Sequence, residues 1–124
     1  KSLKPVKKIT YSYDTINIKE KVMVVKKKHV GSKLYVKLIG ELDECSAGYV
    51  RTVLDDLFLI ESYSSVIFDL CELEFMDSTG IGVFIGRYKL LKNRNVPVYI
   101  LNPQRQIEKI FMMSGIYEIM PKIS

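Results

Sequence analysis

Histidine occurs once in this 124-residue chain, cysteine twice and tryptophan not at all. A single histidine, His29, leaves little scope for a nucleophile activated by an imidazole base or for a histidine-rich metal centre. No motif surrounds it, so it reads as an ordinary surface histidine. Cys45 and Cys71 form no CxxC pair and have no metal-ligand spacing. With apolar neighbours, they are expected to be reduced, part-buried thiols of a cytoplasmic protein. No apolar run approaches the roughly 20 residues of a membrane-spanning helix. No apolar segment follows the basic start, so no secretory leader is expected. G-x-S-x-G is missing, as is the G-x-x-x-x-G-K-[ST] phosphate loop. Glu72, Glu74 and Asp77 are close in sequence, yet their spacing sets no acid against a base, and a solvated loop is their default. The expectation is a protein with no catalytic residues, metal or cofactor, and no place in a membrane.

What is present describes one globular domain. Hydrophobic residues make up 48% and charged residues 27%, enough for a real core at this length. The net charge of +5 is concentrated near the start, at Lys1, Lys4, Lys7, Lys8, Lys19, Lys21 and Lys26 to Lys28. Nucleic-acid recognition calls for arginines interleaved with aromatics on one face, and that pattern is missing, so no direct nucleic-acid contact is expected. Residues 1–19 read as a basic, weakly structured extension with at most an edge strand, and residues 20–124 as the domain.

Along the domain the hydrophobic period switches between two and 3.6. Lys21 to Val30 and the alternating Lys33 to Ile39 read as strands joined at Gly31-Ser32, a hairpin. Gly40-Glu41-Leu42-Asp43 ends the second strand. From Glu44 to Ile60, Val50, Val53, Leu54, Leu57 and Phe58 form one helical stripe, with Asp43 or Ser46 as its cap. Val66 to Leu70 is apolar enough for a strand covered on both faces. A helix from Thr79 carries Ile81, Phe84, Ile85, Tyr88 and Leu91. Its Gly82 and Gly86 share a face, which predicts close approach to the sheet or to a partner. Val96 to Leu101 is a strand. Asn102-Pro103 reads as a helix start, Ile107, Ile110 and Phe111 as the buried stripe, and Gly115 as the left-handed cap. Ile116 to Met120 reads as a last short strand. The alternation predicts an α/β fold with a mixed, mostly parallel sheet of about four to five strands, an N-terminal hairpin and three or more helices.

The stretch Phe75-Met76-Asp77-Ser78-Thr79-Gly80-Ile81-Gly82 puts a serine at or beside the cap of a helix. Two readings stand. Ser78 can simply accept a hydrogen bond from a free backbone N–H. It can also be a modification site, because open N–H groups and the helix dipole tolerate a phosphate.

Phe75 to Val83 followed by Gly86-Arg87-Tyr88-Lys89, Gly40-Glu41-Leu42-Asp43, and Phe111-Met112-Met113-Ser114-Gly115-Ile116 together resemble the bacterial anti-sigma factor antagonists of the STAS domain family, closest to those of sporulation. The similarity runs from about Lys21 to Pro121. Cys45 and Ser46 stand where relatives often carry polar or histidine residues. The resemblance implies a single STAS domain that binds an anti-sigma factor which is also a serine kinase, thereby freeing a sigma factor for transcription. It implies phosphorylation at Ser78 by that kinase, which ends binding, and reset by a PP2C-type phosphatase. It also implies partner contacts at Asp43, Asp77, Ser78, Thr79, Gly80, Gly82 and Arg87. The alternative is a STAS docking module of another signalling complex or of an anion transporter, with Ser78 unmodified.

Overall fold

The computed structural model describes residues 12–19 and 23–124. Most of the basic extension and the expected strand start at Lys21 lie outside these residues. Among the described residues the sheet has seven strands: β1 (Asp14–Lys19), β2 (Met23–Val30), β3 (Lys33–Leu42), β4 (Ser65–Asp69), β5 (Leu73–Met76), β6 (Val98–Leu101) and β7 (Lys122–Ile123). Three helices are α1 (Ala47–Ile60), α2 (Ser78–Lys92) and α3 (Arg105–Ser114). The sheet order is β1-β2-β3-β4-β6-β7, with β5 paired to β3. β1, β2 and β3 are antiparallel neighbours, and every other pairing is parallel. The α/β class, the hairpin and the helix number are as expected, but the sheet is wider than four to five strands. β5 and β7 are the strands the sequence hid. β5 has two exposed residues in four, and β7 is two residues long.

The core follows the side-chain periods. Leu34, Val36 and Leu38 alternate inward on β3. On α1 the predicted Val50, Val53, Leu54, Leu57 and Phe58 are all buried. A line of edge-to-face rings joins the layers. Phe68 of β4 meets Phe58 of α1 at 6.3 Å and Phe84 of α2 at 5.1 Å, and Phe84 meets Phe111 of α3 at 5.4 Å. All three helices therefore cover one face of the sheet, and each ring pair adds roughly 0.5–1.5 kcal/mol to its area burial.

β3 serves two partners in succession. Lys33 to Lys37 pair with β4, and Gly40 to Leu42 pair with β5. The change falls at Gly40, where the register shifts and φ is 119°, a backbone region that glycine enters without strain. Gly40 N–H donates to the Glu72 carbonyl at 3.0 Å, tying the β4–β5 turn to the switch point. Lys37 and Glu72 form an ion pair at 2.8 Å across the same turn, and that contact holds the Lys37 ammonium above its ordinary pKa.

Four local expectations change. Glu74 lies in β5 and not in a loop, whereas Glu72 does sit in the β4–β5 turn. Ile116–Glu118 is a single 3-10 turn, and the last strand comes after Pro121. The helix expected at Asn102-Pro103 starts at Arg105, because Asn102 adopts φ 53° and Gln104 is extended. His29 is half-buried, with Nε2 2.6 Å from Glu61 Oε1; Lys27 Nζ lies 3.3 Å from Oε2 of the same carboxylate. This cluster pins the hairpin to the end of α1, and the His29 contact is the chief reason that the Glu61 carboxyl lies below its usual pKa. The left-handed Gly115 cap is present, at φ 76°.

Candidate functional site

The C-terminal ends of β3 and β5 lie side by side. Leu42 pairs with Met76, and Asp77 N–H donates to the Leu42 carbonyl at 3.3 Å. The next residue on each strand is an aspartate, Asp43 or Asp77, and each leads into a helix. In α/β sheets this rim, beyond the carboxyl ends of parallel strands, is where ligands and partners are met.

The two aspartates are used differently. Asp77 is the N-cap of α2, extended, with Oδ1 accepting from Thr79 N–H at 2.9 Å. Ser78 is the first helical residue and is exposed. The cap is therefore Asp77, and Ser78 does not hold the helix end. An aspartate two residues before the first hydrogen-bonded amide is itself a capping signal, and it was legible in the sequence. Asp43 instead folds its own loop: Oδ1 accepts from Cys45 N–H at 2.9 Å and from Ser46 N–H at 3.1 Å. Ser46, 2% exposed, donates to the Glu41 carbonyl at 2.8 Å and accepts from Asp43 N–H at 3.1 Å. It occupies the cap position of α1 but makes no side-chain cap bond. Its role in fixing the Asp43 loop was not read from the sequence.

The remaining predicted residues separate by depth. Thr79 is half-buried and Gly80 fully buried. A Cβ on Gly80 would overlap Met76 Cγ and sit 2.8 Å from Met76 Sδ and 3.2 Å from Leu42 Cδ2. Gly80 thus lets α2 rest directly on the two strands that carry the aspartates. Gly82 and Gly86 have open space where a Cβ would be, so the expected close approach to the sheet does not occur at either. They leave a bare outer face on α2 in line with Ser78. Arg87 is 11% exposed, with Nε 2.9 Å from Asp55 Oδ1 of α1, an ion pair without a well-aligned hydrogen bond. It ties α2 to α1 and lies more than two helical turns from Ser78. Phe75, 47% exposed, is the large apolar side chain just before the site.

Among the described residues, no group of three His, Cys, Asp or Glu could hold a metal, and no helix is long and apolar enough to cross a membrane. The arrangement offers an exposed hydroxyl, two carboxylates and a smooth helix face on one rim of the sheet.

The sequence profile of the STAS domain family matches residues 21–124. The chain belongs to the STAS family. It is 32% identical over 97 residues to the anti-sigma F factor antagonist of Paenibacillus polymyxa, covering 78% of this chain and 83% of that relative. It is 30% identical over 86 residues to the anti-sigma-B factor antagonist of Bacillus subtilis (strain 168), covering 69% and 77%. The solved structure of the anti-sigma factor antagonist SpoIIAA in its unphosphorylated form superposes with a TM-score of 0.68 at 26% identity, covering 81% of this STAS chain and 88% of that one. These relatives are named as antagonists, which are regulatory binding proteins and not enzymes.

Proposed function

We propose that this STAS protein is an anti-sigma factor antagonist switched by phosphorylation of Ser78. In this reading it binds an anti-sigma factor that is also a serine kinase, and so releases a sigma factor for transcription. The kinase transfers the γ-phosphoryl group of its own ATP to Ser78 Oγ. The hydroxyl proton leaves and ADP departs. A PP2C-type phosphatase later hydrolyses the ester with water, returning serine and inorganic phosphate. The protein works in the cytoplasm, where the sigma factor acts. Relatives named for both sigma F and sigma B support the antagonist role, and sporulation is the setting included in this proposal.

The observation that carries the reading is the division of labour between Asp77 and Ser78. Asp77 caps the helix, so the Ser78 hydroxyl is exposed and the fold does not depend on it. A phosphate there adds about 1.5 to 2 negative charges. The start of α2 tolerates that charge, whereas the Asp43–Asp77 rim and a partner seated on it do not. Asp43, Asp77, Thr79 and Gly82 form the contact surface, Gly80 seats α2 beneath it, and Arg87 acts through its hold on Asp55.

The test is incubation with the cognate kinase and ATP, followed by peptide mass spectrometry. One phosphate on Ser78, lost in Ser78→Ala and removed by a PP2C phosphatase, is the expected result. Equal phosphorylation of Ser78→Ala would overturn the reading. Binding without any phosphate would leave the docking module as the function.

A further inference from the structure

The sheet face opposite the helices carries a cleft that the Ser78 surface does not use. Strand pairing builds it. Tyr35 of β3 pairs with Ile67 of β4, and Ile67 with Tyr99 of β6. Each alternates with core residues that face the helices, so the three side chains share the opposite face. A cavity of about 380 Å³ opens there, lined by these three with Lys33, Ser65 and Ile123.

Its shape follows from sheet spacing. Two strands flanking a third are roughly 9.6 Å apart. A flat ring touching an aromatic wall on each side needs about 7 Å. The backbone spacing therefore leaves room for a planar body beside the two tyrosines, which form the aromatic sides of the cavity. Ile67, 2% exposed, lies beneath the two tyrosines and is already covered by its neighbours. Lys33 and Ser65 are paired at one end. Beyond the cavity, Tyr13 donates to Asp69 Oδ2 at 2.8 Å, and its ring centre lies 4.6 Å from Lys28 Nζ and 5.0 Å from Lys37 Nζ. Lys28 Nζ also lies 5.1 Å from the centre of the Tyr35 ring, placing positive charge along that wall. None of the six lining residues is acidic.

We propose that this cleft binds a small, flat aromatic anion. The ring packs against the Tyr35 and Tyr99 side chains in the cavity, and the acidic group meets the Lys33 ammonium and the Ser65 hydroxyl at the open end. The volume matches small-molecule sites, which are mostly apolar with a few placed polar groups. Keeping the anion at the open end avoids the cost of burying it. This proposal is independent of the Ser78 reading.

Titration of the ¹⁵N-labelled full chain with 2-naphthoate, followed by amide shifts, tests it, with 2-naphthalenemethanol as the uncharged probe. Saturable shifts centred on Tyr35, Ile67 and Tyr99 are expected. Lys33→Gln, at an exposed position, should weaken naphthoate about threefold or more, the loss of one partly solvated ion pair, and leave the alcohol unchanged. Ser65→Trp should fill the cleft and remove both responses while the rest of the spectrum stays dispersed. If Ser65→Trp does not fold, the Lys33→Gln comparison decides alone. No saturation at millimolar naphthoate, shifts centred elsewhere, or equal weakening of acid and alcohol would overturn the proposal.

Discussion

Two helices start at the same rim of the sheet, α1 after β3 and α2 after β5, each beside an aspartate and a serine. At α1 the carboxylate of Asp43 is spent on its own loop, and Ser46 is buried between two backbone groups. At α2 the carboxylate of Asp77 caps the helix, and Ser78 is left exposed. The same two residue types thus give one structural serine and one accessible serine. What separates them is spacing: three residues from Asp43 to Ser46 allow a closed loop, whereas adjacent Asp77 and Ser78 cannot fold back on each other. The glycines differ too. Gly48 of α1 faces open space apart from Arg51 Nη2 at 3.9 Å, while Gly80 of α2 is pressed against Met76 and Leu42.

The sharpest break in this comparison is chemical. Ser78→Ala should lose the kinase-dependent phosphate entirely while Ser46→Ala keeps it, as intact-mass spectrometry would read. Next in size are stability changes measured by denaturant unfolding. Gly80→Ala should cost about 1–3 kcal/mol by overpacking α2 against β5, whereas Gly48→Ala should be neutral or stabilising by up to about 1 kcal/mol. Ser46→Ala should cost about 1–3 kcal/mol because the part-buried Asp43 N–H loses its acceptor. Asp77→Ala should cost about 1 kcal/mol, the usual loss for a cap, and Ser78→Ala only a few tenths. The smallest effect concerns the far end of α1. The Glu61 carboxyl has a lowered folded-state pKa, so its stabilisation is present above the ordinary carboxylate range and fades as pH falls through the folded value. Melting temperatures of the wild type and Glu61→Gln should therefore differ slightly near neutral pH and converge in acid.

The sequence made the helices and the central strands legible because their apolar periods are strong. The α1 stripe and the apolar run of β4 needed no tertiary information. β5 was hidden because Glu74 and Phe75 face solvent, and only pairing with β3 defines it as a strand. The stretch from Ile116 has strand-like composition, yet Ile116 and Met120 point into the core from a tight turn, a tertiary override of propensity. At the site, Ser78 was visible as a motif, but the assignment of the cap to Asp77 came from one hydrogen bond. The Arg87–Asp55 pair depends on a contact between two helices that local patterns do not encode, and Ser46 on a loop closure that the hydrophobic period does not reveal.

The partner exchange of β3 at Gly40 has a further consequence. By passing from β4 to β5 partway along its length, one strand supports two loop–helix junctions without widening the sheet at that rim. Segments more than thirty residues apart in the chain therefore present adjoining carboxylates and helix tips on a surface only two strands across. In the proposed switch, a single phosphate at Ser78 would be read against both junctions at once, as one decisive change and not as a gradual loss of fit.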